Sequence, residues 1–531
     1  MTAAKKLLTP AKTLMVQGTA SSVGKSVLVT ALCRILRQDG WSVAPFKAQN
    51  MSLNSFITRD GAEMGRAQVV QAEAAGLEPT VEMNPVLLKP EADNRSQVVV
   101  MGRPWRSAVA EEYYSLRKQL WEVITGALET LSSQHEVVLI EGAGSPAEVN
   151  LKDRDMVNMR VALHSNAPVL LVADIDRGGI FASIVGTLEL LEPEERGLVK
   201  GFVINKFRGD LSLLEPGVKW LEERTKIPVV GIIPYYHDIQ IAEEDSVSLE
   251  RRRAMREKDD YLLDIAVIGL LHISNFDDFD PLEQEEGVRL RYVEDKDQLG
   301  RPDLIILPGT KSTMADLVYL KRRGLARQIV DRARRGTPVI GICGGYQMMG
   351  EVILDPGEVE SAASQAAGLG LLPVRTTFFA TKSTHQVRGR VVSEKGLLQG
   401  AEGLPLSGYE IHMGQTTEVA ITAPLRIDER SRRPCREWDG YLSPDGNMLG
   451  TYIHGLFHNE GLRRALLSNL AARKGVVFRP QGRVISKEEQ YNRLADLVRR
   501  CLNMELLYDI IGLTKSQNLL AKGEGLGLKE F

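Results

Sequence analysis

Two short stretches of this chain carry residue types that do chemistry. In Pro338-Val339-Ile340-Gly341-Ile342-Cys343-Gly344-Gly345-Tyr346-Gln347 an apolar run delivers a cysteine into a G-x-C-x-G turn. Glycines on both sides permit the sharp strand-to-helix turn that presents a nucleophile, and a helix N-terminus behind a cysteine favours the thiolate. A lone cysteine at a strand end is more often a small buried hydrophobe; the glycines turn the reading of Cys343 toward catalysis. The nucleophile needs a base. His454 follows the strand-like run 448–453, on the rim where the active sites of open α/β sheets collect. His412, in Gly408-Tyr409-Glu410-Ile411-His412-Met413-Gly414, is the competing base. The turn Leu307-Pro308-Gly309-Thr310-Lys311-Ser312 suits a backbone oxyanion donor, with Gly309 and Gly344 as the candidate pair. Cys33 reads as core, and Cys435 and Cys501 have no comparable setting.

The second stretch is Gln17-Gly18-Thr19-Ala20-Ser21-Ser22-Val23-Gly24-Lys25-Ser26, between an apolar strand and an amphipathic helix. Backbone N–H groups over Thr19, Ser22, Val23 and Gly24 would cradle phosphates at the helix N-terminus. Lys25 would meet the β/γ-phosphates, and the Ser26 hydroxyl would ligate Mg²⁺. Thr19 stands where G-x-x-x-x-G-K-[ST] has its first glycine, and Gly18 lies one residue earlier. The plain alternative is a polar turn with an ordinary surface lysine. The longer gap resembles the dethiobiotin-synthetase-like branch of P-loop proteins. Glu141, ending another strand, suits a second Mg²⁺ contact or, alternatively, a helix cap. Asn205 could meet the adenine or merely shape a turn, while Asp174 and Asp176 have open roles. Amide-rich segments place Lys47, Gln49, Asn50, Asn54, Asn84 and Lys89 as substrate-contact candidates, since side chains that donate and accept suit carboxylate and amide groups. A long hydrophilic surface excursion explains the same composition.

The elements that must position these residues alternate. Strand-like runs fall at 13–16, 137–140, 169–173, 201–204 and 229–233, with a helix over 26–38 whose face carries Val27, Ala31, Leu32, Ile35 and Leu36. Continuous apolar strands between helices imply a parallel sheet covered on both faces. After a charge-dense stretch at 243–260 the rhythm restarts, with strands at 264–271, 304–307, 338–342 and 448–453. The expected organisation is a first α/β domain over 1–245, a linker over 246–263, a second α/β domain over 264–474 and a helical segment over 475–531. The fold class is α/β.

Of the 531 residues, 66 are lysine or arginine and 69 are acidic, for a formal charge of −3. That balance gives no whole-chain case for nucleic acid or membrane partners. Four scattered cysteines without a C-x-x-C pair argue against a disulfide scaffold or zinc ribbon. No run approaches the ~20 apolar residues of a spanning helix, and Pro10 and Lys12 interrupt any leader-like segment. A cytoplasmic protein of unassigned oligomeric state is expected.

Across most of its length the sequence resembles the cobyric acid synthase family, the glutamine-dependent amidotransferases of cobalamin biosynthesis. The resemblance rests on QGTASSVGKS, KAQNMSLNS, MNPVLLKP, EGAGSPAE, DIDRGGIFAS, INKFRGD, LPGTKST, GICGGYQMMG, GYEIHMG and YIHGLF. It implies an ATP- and Mg²⁺-dependent P-loop synthetase fused to a class I glutaminase. It also implies a corrinoid substrate, adenosylcobyrinic acid a,c-diamide, amidated on its b, d, e and g carboxylates at the expense of four glutamines and four ATP. The a,c-diamide synthases and, more remotely, P-loop regulatory ATPases are the alternatives. Class I glutaminases ordinarily carry a glutamate two residues after the histidine; this chain has Leu456. The resemblance therefore points to a Cys–His pair, with a backbone carbonyl or Glu410 as the groups that could orient the ring. No aspartate lies in Lys47–Ser55 where relatives hold a metal-binding one.

Overall fold

The computed structural model describes residues 10–92, 95–236, 239, 241, 261–417, 423–479 and 485–514. Residues 246–260 of the expected linker and the tail beyond 514 lie outside the described residues.

The first half builds a six-stranded sheet. In chain order its elements are β1 (Lys12–Gly18), α1 (Lys25–Gln38), β2 (Val43–Phe46), α2 (Arg66–Ala75), β3 (Val137–Glu141), β4 (Val169–Asp174), β5 (Val199–Phe207) and β6 (Val229–Pro234). The strands lie in the order β6-β5-β4-β1-β3-β2, every neighbouring pair parallel. Every residue of β3 and β4 is buried, which is why these strands read as unbroken apolar runs. The strand order reverses at β1, and ligands of open parallel sheets bind beyond the strand ends at such a switch point. The turn from β1 to α1 occupies that place. Leu28, Leu32, Ile35 and Leu36 press α1 onto the sheet at 2 % exposure or less, each worth roughly 1.5–3 kcal/mol of apolar burial.

The second half repeats the plan with β7 (Leu263–Ile268), β8 (Val288–Val293), β9 (Leu304–Leu307), β10 (Val339–Ile342), α3 (Gly344–Met349), β11 (Arg375–Val391), β12 (Pro405–Thr416), β13 (Tyr441–Leu442) and β14 (Met448–Thr451). Its sheet order is β8-β7-β9-β10-β14-β13, parallel except for the edge strand β13. The long antiparallel pair β11–β12 went unread in the sequence because its burial pattern is mixed, with partly exposed residues on both faces.

The chain then returns to its beginning. Helices α4 (Lys487–Cys501) and α5 (Met504–Ile511) pack on the first half. Tyr491, Leu494, Val498 and Leu507 join the same core as Leu28 and Leu32 of α1. Arg34 of α1 donates to Asn492 at 2.8 Å and to Glu488 at 2.5 Å. The C-terminal segment is thus part of the first half's core. Among the described residues no helix is long and apolar enough to cross a membrane.

Candidate functional site

The turn between β1 and α1 opens onto a cavity of about 790 Å³, whose lining includes Ser22, Gly24, Lys25, Ser26, Glu141 and Asn205. Gly24 has a φ of 102°, and a Cβ there would fall 2.1 Å from Asn205 Nδ2, so only glycine fits this turn. Lys25 Nζ donates to the carbonyls of Ala20 and Gly144, both at 2.9 Å, which holds the ammonium inside the loop. Asn205 Nδ2 donates to the Val23 carbonyl at 2.7 Å; the residue read as an adenine contact also braces the loop. Lys206 ties Ser22 to Asp174, donating to the Ser22 carbonyl at 2.7 Å and to Asp174 Oδ2 at 2.6 Å.

Glu141 is the electrostatic centre of this cavity. Its carboxylate accepts from Ser26 Oγ at 2.8 Å, Lys47 Nζ at 2.9 Å and Gln71 Nε2 at 2.5 Å. Burial alone would raise its pKa, but the Lys47 charge and these bonds hold it below the usual carboxylate range. A hydroxyl and an ionised carboxylate side by side are hard oxygen donors of the kind Mg²⁺ takes alongside phosphate oxygens. Among the described residues there is no cluster of three or more His, Cys, Asp or Glu that could hold a metal by protein ligands alone.

The sequence-predicted nucleophile sits on a strained elbow. Cys343 has φ 50° and ψ −110° between β10 and α3, a conformation that costs of order 1–3 kcal/mol and marks functional turns. A Cβ on Gly345 would lie 2.0 Å from the Leu307 carbonyl, so the elbow can pack on β9 only with glycine there. The Cys343 thiol is 6 % exposed and donates to the Ile411 carbonyl at 3.5 Å. Gly309 lies against the His454 ring, 2.7 Å separating its Cβ position from Cε1, and the Cβ position of Gly344 is 3.2 Å from the Thr310 nitrogen. Cys343, His454, Gly309 and Gly344 therefore meet at the carboxyl ends of β9, β10 and β14, as their positions in the sequence predict.

What orients the histidine differs from expectation. Asp278 Oδ2 accepts from His454 Nδ1 at 2.7 Å, and its Oδ1 accepts from the Gly455 N–H at 2.7 Å. Glu410 pairs with Arg430 at 3.0 Å instead, and burial pushes its carboxyl up to about 7. Leu456 is fully buried apolar packing. The acid comes from the loop after β7, so Asp278, His454 and Cys343 stand side by side. Burial opposes charge on the His454 ring, yet the Asp278 carboxylate and the neighbouring Cys343 sulfur raise it to about 10. Its Nε2 makes no hydrogen bond among the described residues. His412 stacks on Tyr452 with ring centroids 3.9 Å apart and its Nδ1 contacts the Gly414 carbonyl at 2.7 Å; burial pushes it down to about 4. Asp278 was legible only as part of the acidic run Asp277-Asp278-Phe279-Asp280 after a strand.

The substrate-contact candidates divide. Lys47, Gln49 and Asn50 line the nucleotide cavity. Asn54, Asn84 and Lys89 do not; each is buried and bonded within the chain. Asn54 Oδ1 accepts from the Phe276 N–H at 3.3 Å, Asn84 Oδ1 from the Gly65 N–H at 3.0 Å, and Lys89 pairs with buried Glu63 at 2.5 Å. These side chains face inward, two of them at or beside the seam between the halves. Glu63 also meets Lys382 of β11 at 2.6 Å across that seam.

Comparison with known proteins agrees with this geometry. Residues 14–249 match the CobQ/CobB/MinD/ParA nucleotide binding domain, and residues 264–462 match the CobB/CobQ-like glutamine amidotransferase domain. A cobyric acid synthase of Dehalococcoides mccartyi is 52% identical over 501 residues, covering 94% of this chain and 99% of the relative. The chain belongs to the cobyric acid synthase family. A second member of the cobyric acid synthase family, from Sorangium cellulosum, is 53% identical over 518 residues, covering 95% of this chain and 99% of its own. Among solved structures, PurLQS from Thermotoga maritima is 19% identical at a TM-score of 0.30, covering 39% of this chain and 99% of that one. Like the cobyric acid synthase family as a whole, this chain is a glutamine amidotransferase ligase with a nucleotide-binding domain. A regulatory ATPase reading leaves residues 264–462 without a role.

Proposed function

We propose that this enzyme amidates the b, d, e and g carboxylates of adenosylcobyrinic acid a,c-diamide in the cytoplasm, using glutamine as nitrogen donor and ATP with Mg²⁺. The observation that supports it is the pairing, in one chain, of the Asp278–His454–Cys343 centre with the Lys25–Ser26–Glu141 cavity. In this reading Cys343 Sγ attacks the glutamine side-chain carbonyl, with Gly309 and Gly344 N–H groups receiving the oxyanion. His454, held by Asp278, gives its proton to the departing nitrogen, so that ammonia leaves and a γ-glutamyl thioester remains. Water then attacks the thioester, returning the thiol and releasing glutamate. In the other half a substrate carboxylate oxygen attacks the γ-phosphorus of ATP, forming an acyl phosphate and ADP. Ammonia displaces the phosphate and the amide forms.

Lys25 binds the β/γ-phosphates, Thr19, Ser22, Val23 and Gly24 cradle them, and Asn205 borders the adenine. Ser26 and Glu141 would hold Mg²⁺, which supplies charge neutralisation on the phosphates. Lys47, Gln49 and Asn50 face the corrinoid carboxylate. Ammonia crosses the seam between the halves shielded from bulk water. The test is incubation with MgATP, glutamine and the corrinoid diamide while product mass is followed: four successive hydroxyl-to-amino exchanges are expected. Conversion only of cobyrinic acid at its a and c positions would instead identify an a,c-diamide synthase.

A further inference from the structure

Helix α2 touches both centres. Midway along it Gln71 Nε2 donates to Glu141 Oε2 at 2.5 Å and reaches the Ser26 carbonyl at 3.5 Å. At its first residue, Arg66 Nη2 pairs with Asp277 Oδ2 at 2.8 Å, both side chains at 5 % exposure or less. Asp277 precedes Asp278, the residue that holds His454. Arg66 and Gln71 are about one and a half turns apart, roughly 7 Å of helix rise.

Arg66 also reaches His454 by a second route. Its guanidinium lies 5.2 Å from the Phe56 ring centroid, Phe56 meets Tyr409 edge-on with centroids 5.5 Å apart, and Tyr409 stacks on His454 with centroids 5.2 Å apart and planes 16° from parallel. An ionic path and an aromatic path thus start at one guanidinium and converge on one imidazole.

Along this path the polar groups are under-satisfied. Arg66 Nε, Gln68 Nε2, Gln71 Oε1 and Asp277 Oδ1 are buried and make no hydrogen bond among the described residues. Buried groups left unpaired by the chain are rare, and each points to strain, a catalytic role, or a bound water or ion. Neither of the two large cavities is lined by Cys343 or His454, and Cys343 is 6 % exposed.

We propose that α2 couples the two sites, with Arg66 a positioning residue that acts on His454 through Asp277 and Phe56–Tyr409. The inference rests on the functional reading above. Glu141 accepts from Ser26 and Lys47 on Oε1 and from Gln71 on Oε2; a divalent cation taken up by Ser26 and Glu141 draws charge from the carboxylate and weakens its bond from the Gln71 amide. Release of Gln71 frees α2, Arg66 resets the Asp277–Asp278 turn, and the glutaminase centre aligns and opens. Glutamine is then consumed when nucleotide is in place. Two discrete arrangements biased by both sites are what such coupling requires.

The experiment uses the full chain and measures alkylation of Cys343 by 6-diazo-5-oxo-L-norleucine, with and without magnesium and a non-hydrolysable ATP analogue. In the wild type the nucleotide should accelerate labelling by about fivefold or more, the lower range of ordinary coupling. The labelled enzyme should also bind the analogue tighter than the unlabelled enzyme does. Arg66→Met should lose the acceleration while binding the analogue as before, and Arg66→Lys should recover part of it. Asp277→Asn, nearly isosteric, carries the same expectation should Arg66→Met fail to fold, and the double variant should be no worse than either alone. Equal acceleration in the wild type and both variants, or none in a wild type that still amidates its substrate, overturns the coupling alone. A wild type that releases no glutamate overturns the functional reading and the coupling with it.

Discussion

Asp278 grips His454 and the residue after it with its two oxygens, one on the imidazole Nδ1 and one on the Gly455 amide, each at 2.7 Å. A carboxylate so placed fixes both the ring's tautomer and its orientation toward Cys343, the role of the third member of a nucleophilic triad. Asp278→Asn should lower glutaminase kcat by about 10²–10⁴, while amidation with added ammonium salts persists. Assays of glutamate release beside ammonia-dependent amidation check this; equal loss of both would contradict the assignment.

The same pair predicts a pH signature. His454 is raised to about 10, above its ordinary value near 6.5. The stabilisation this brings is complete below about pH 6.5 and is lost as pH climbs through about 10. The alkaline limb of glutaminase kcat/KM should follow the loss of that proton. Removing the Asp278 charge should move the limb to lower pH and flatten the alkaline fall in melting temperature. Paired pH profiles of rate and melting decide it.

Cys343→Ala should abolish the use of glutamine and spare amidation from ammonium salts. The two centres occupy different sheets, so loss of both activities would argue against separate sites. The readout is product mass with each nitrogen source.

Lys25 is locked by two carbonyls inside the turn after β1. Lys25→Ala should remove amidation with either nitrogen source, while glutamate release partly survives. Full synthetase activity in that variant would refute the phosphate-loop reading.

Leu494 of α4 is fully buried against α1. Leu494→Ala should destabilise the nucleotide-binding half by about 2–5 kcal/mol. Glutamate release below the melting transition should change little. Thermal melting with and without an ATP analogue measures the first, and a glutaminase assay the second.

Both chemical signatures were legible because each is local. Thr19–Ser26 and Gly341–Gly345 hold their glycines, nucleophile and phosphate ligands within one turn, and the apolar strands before them announce their place in a sheet. Asp278 was not legible, because it lies 176 residues from His454 and only the assembly of β7, β9, β10 and β14 into one sheet brings them together. The amide-rich segments were only partly legible for a related reason. Composition says that Asn54, Asn84 and Lys89 need partners, but not whether those partners are ligand or chain. Here Phe276, Gly65 and Glu63 supply them. The antiparallel pair β11–β12 hid because its strands lack a clean two-residue alternation.

The return of α4 and α5 onto α1 bears on how the molecule is made. A ribosome releases the P-loop early, yet Tyr491, Leu494, Val498 and Leu507, which seal the hydrophobic layer beneath it, emerge hundreds of residues later. Domains generally fold in order of synthesis; in this chain the unit translated first is the last to be finished. The layer under the phosphate loop is therefore complete only once these last helices have emerged.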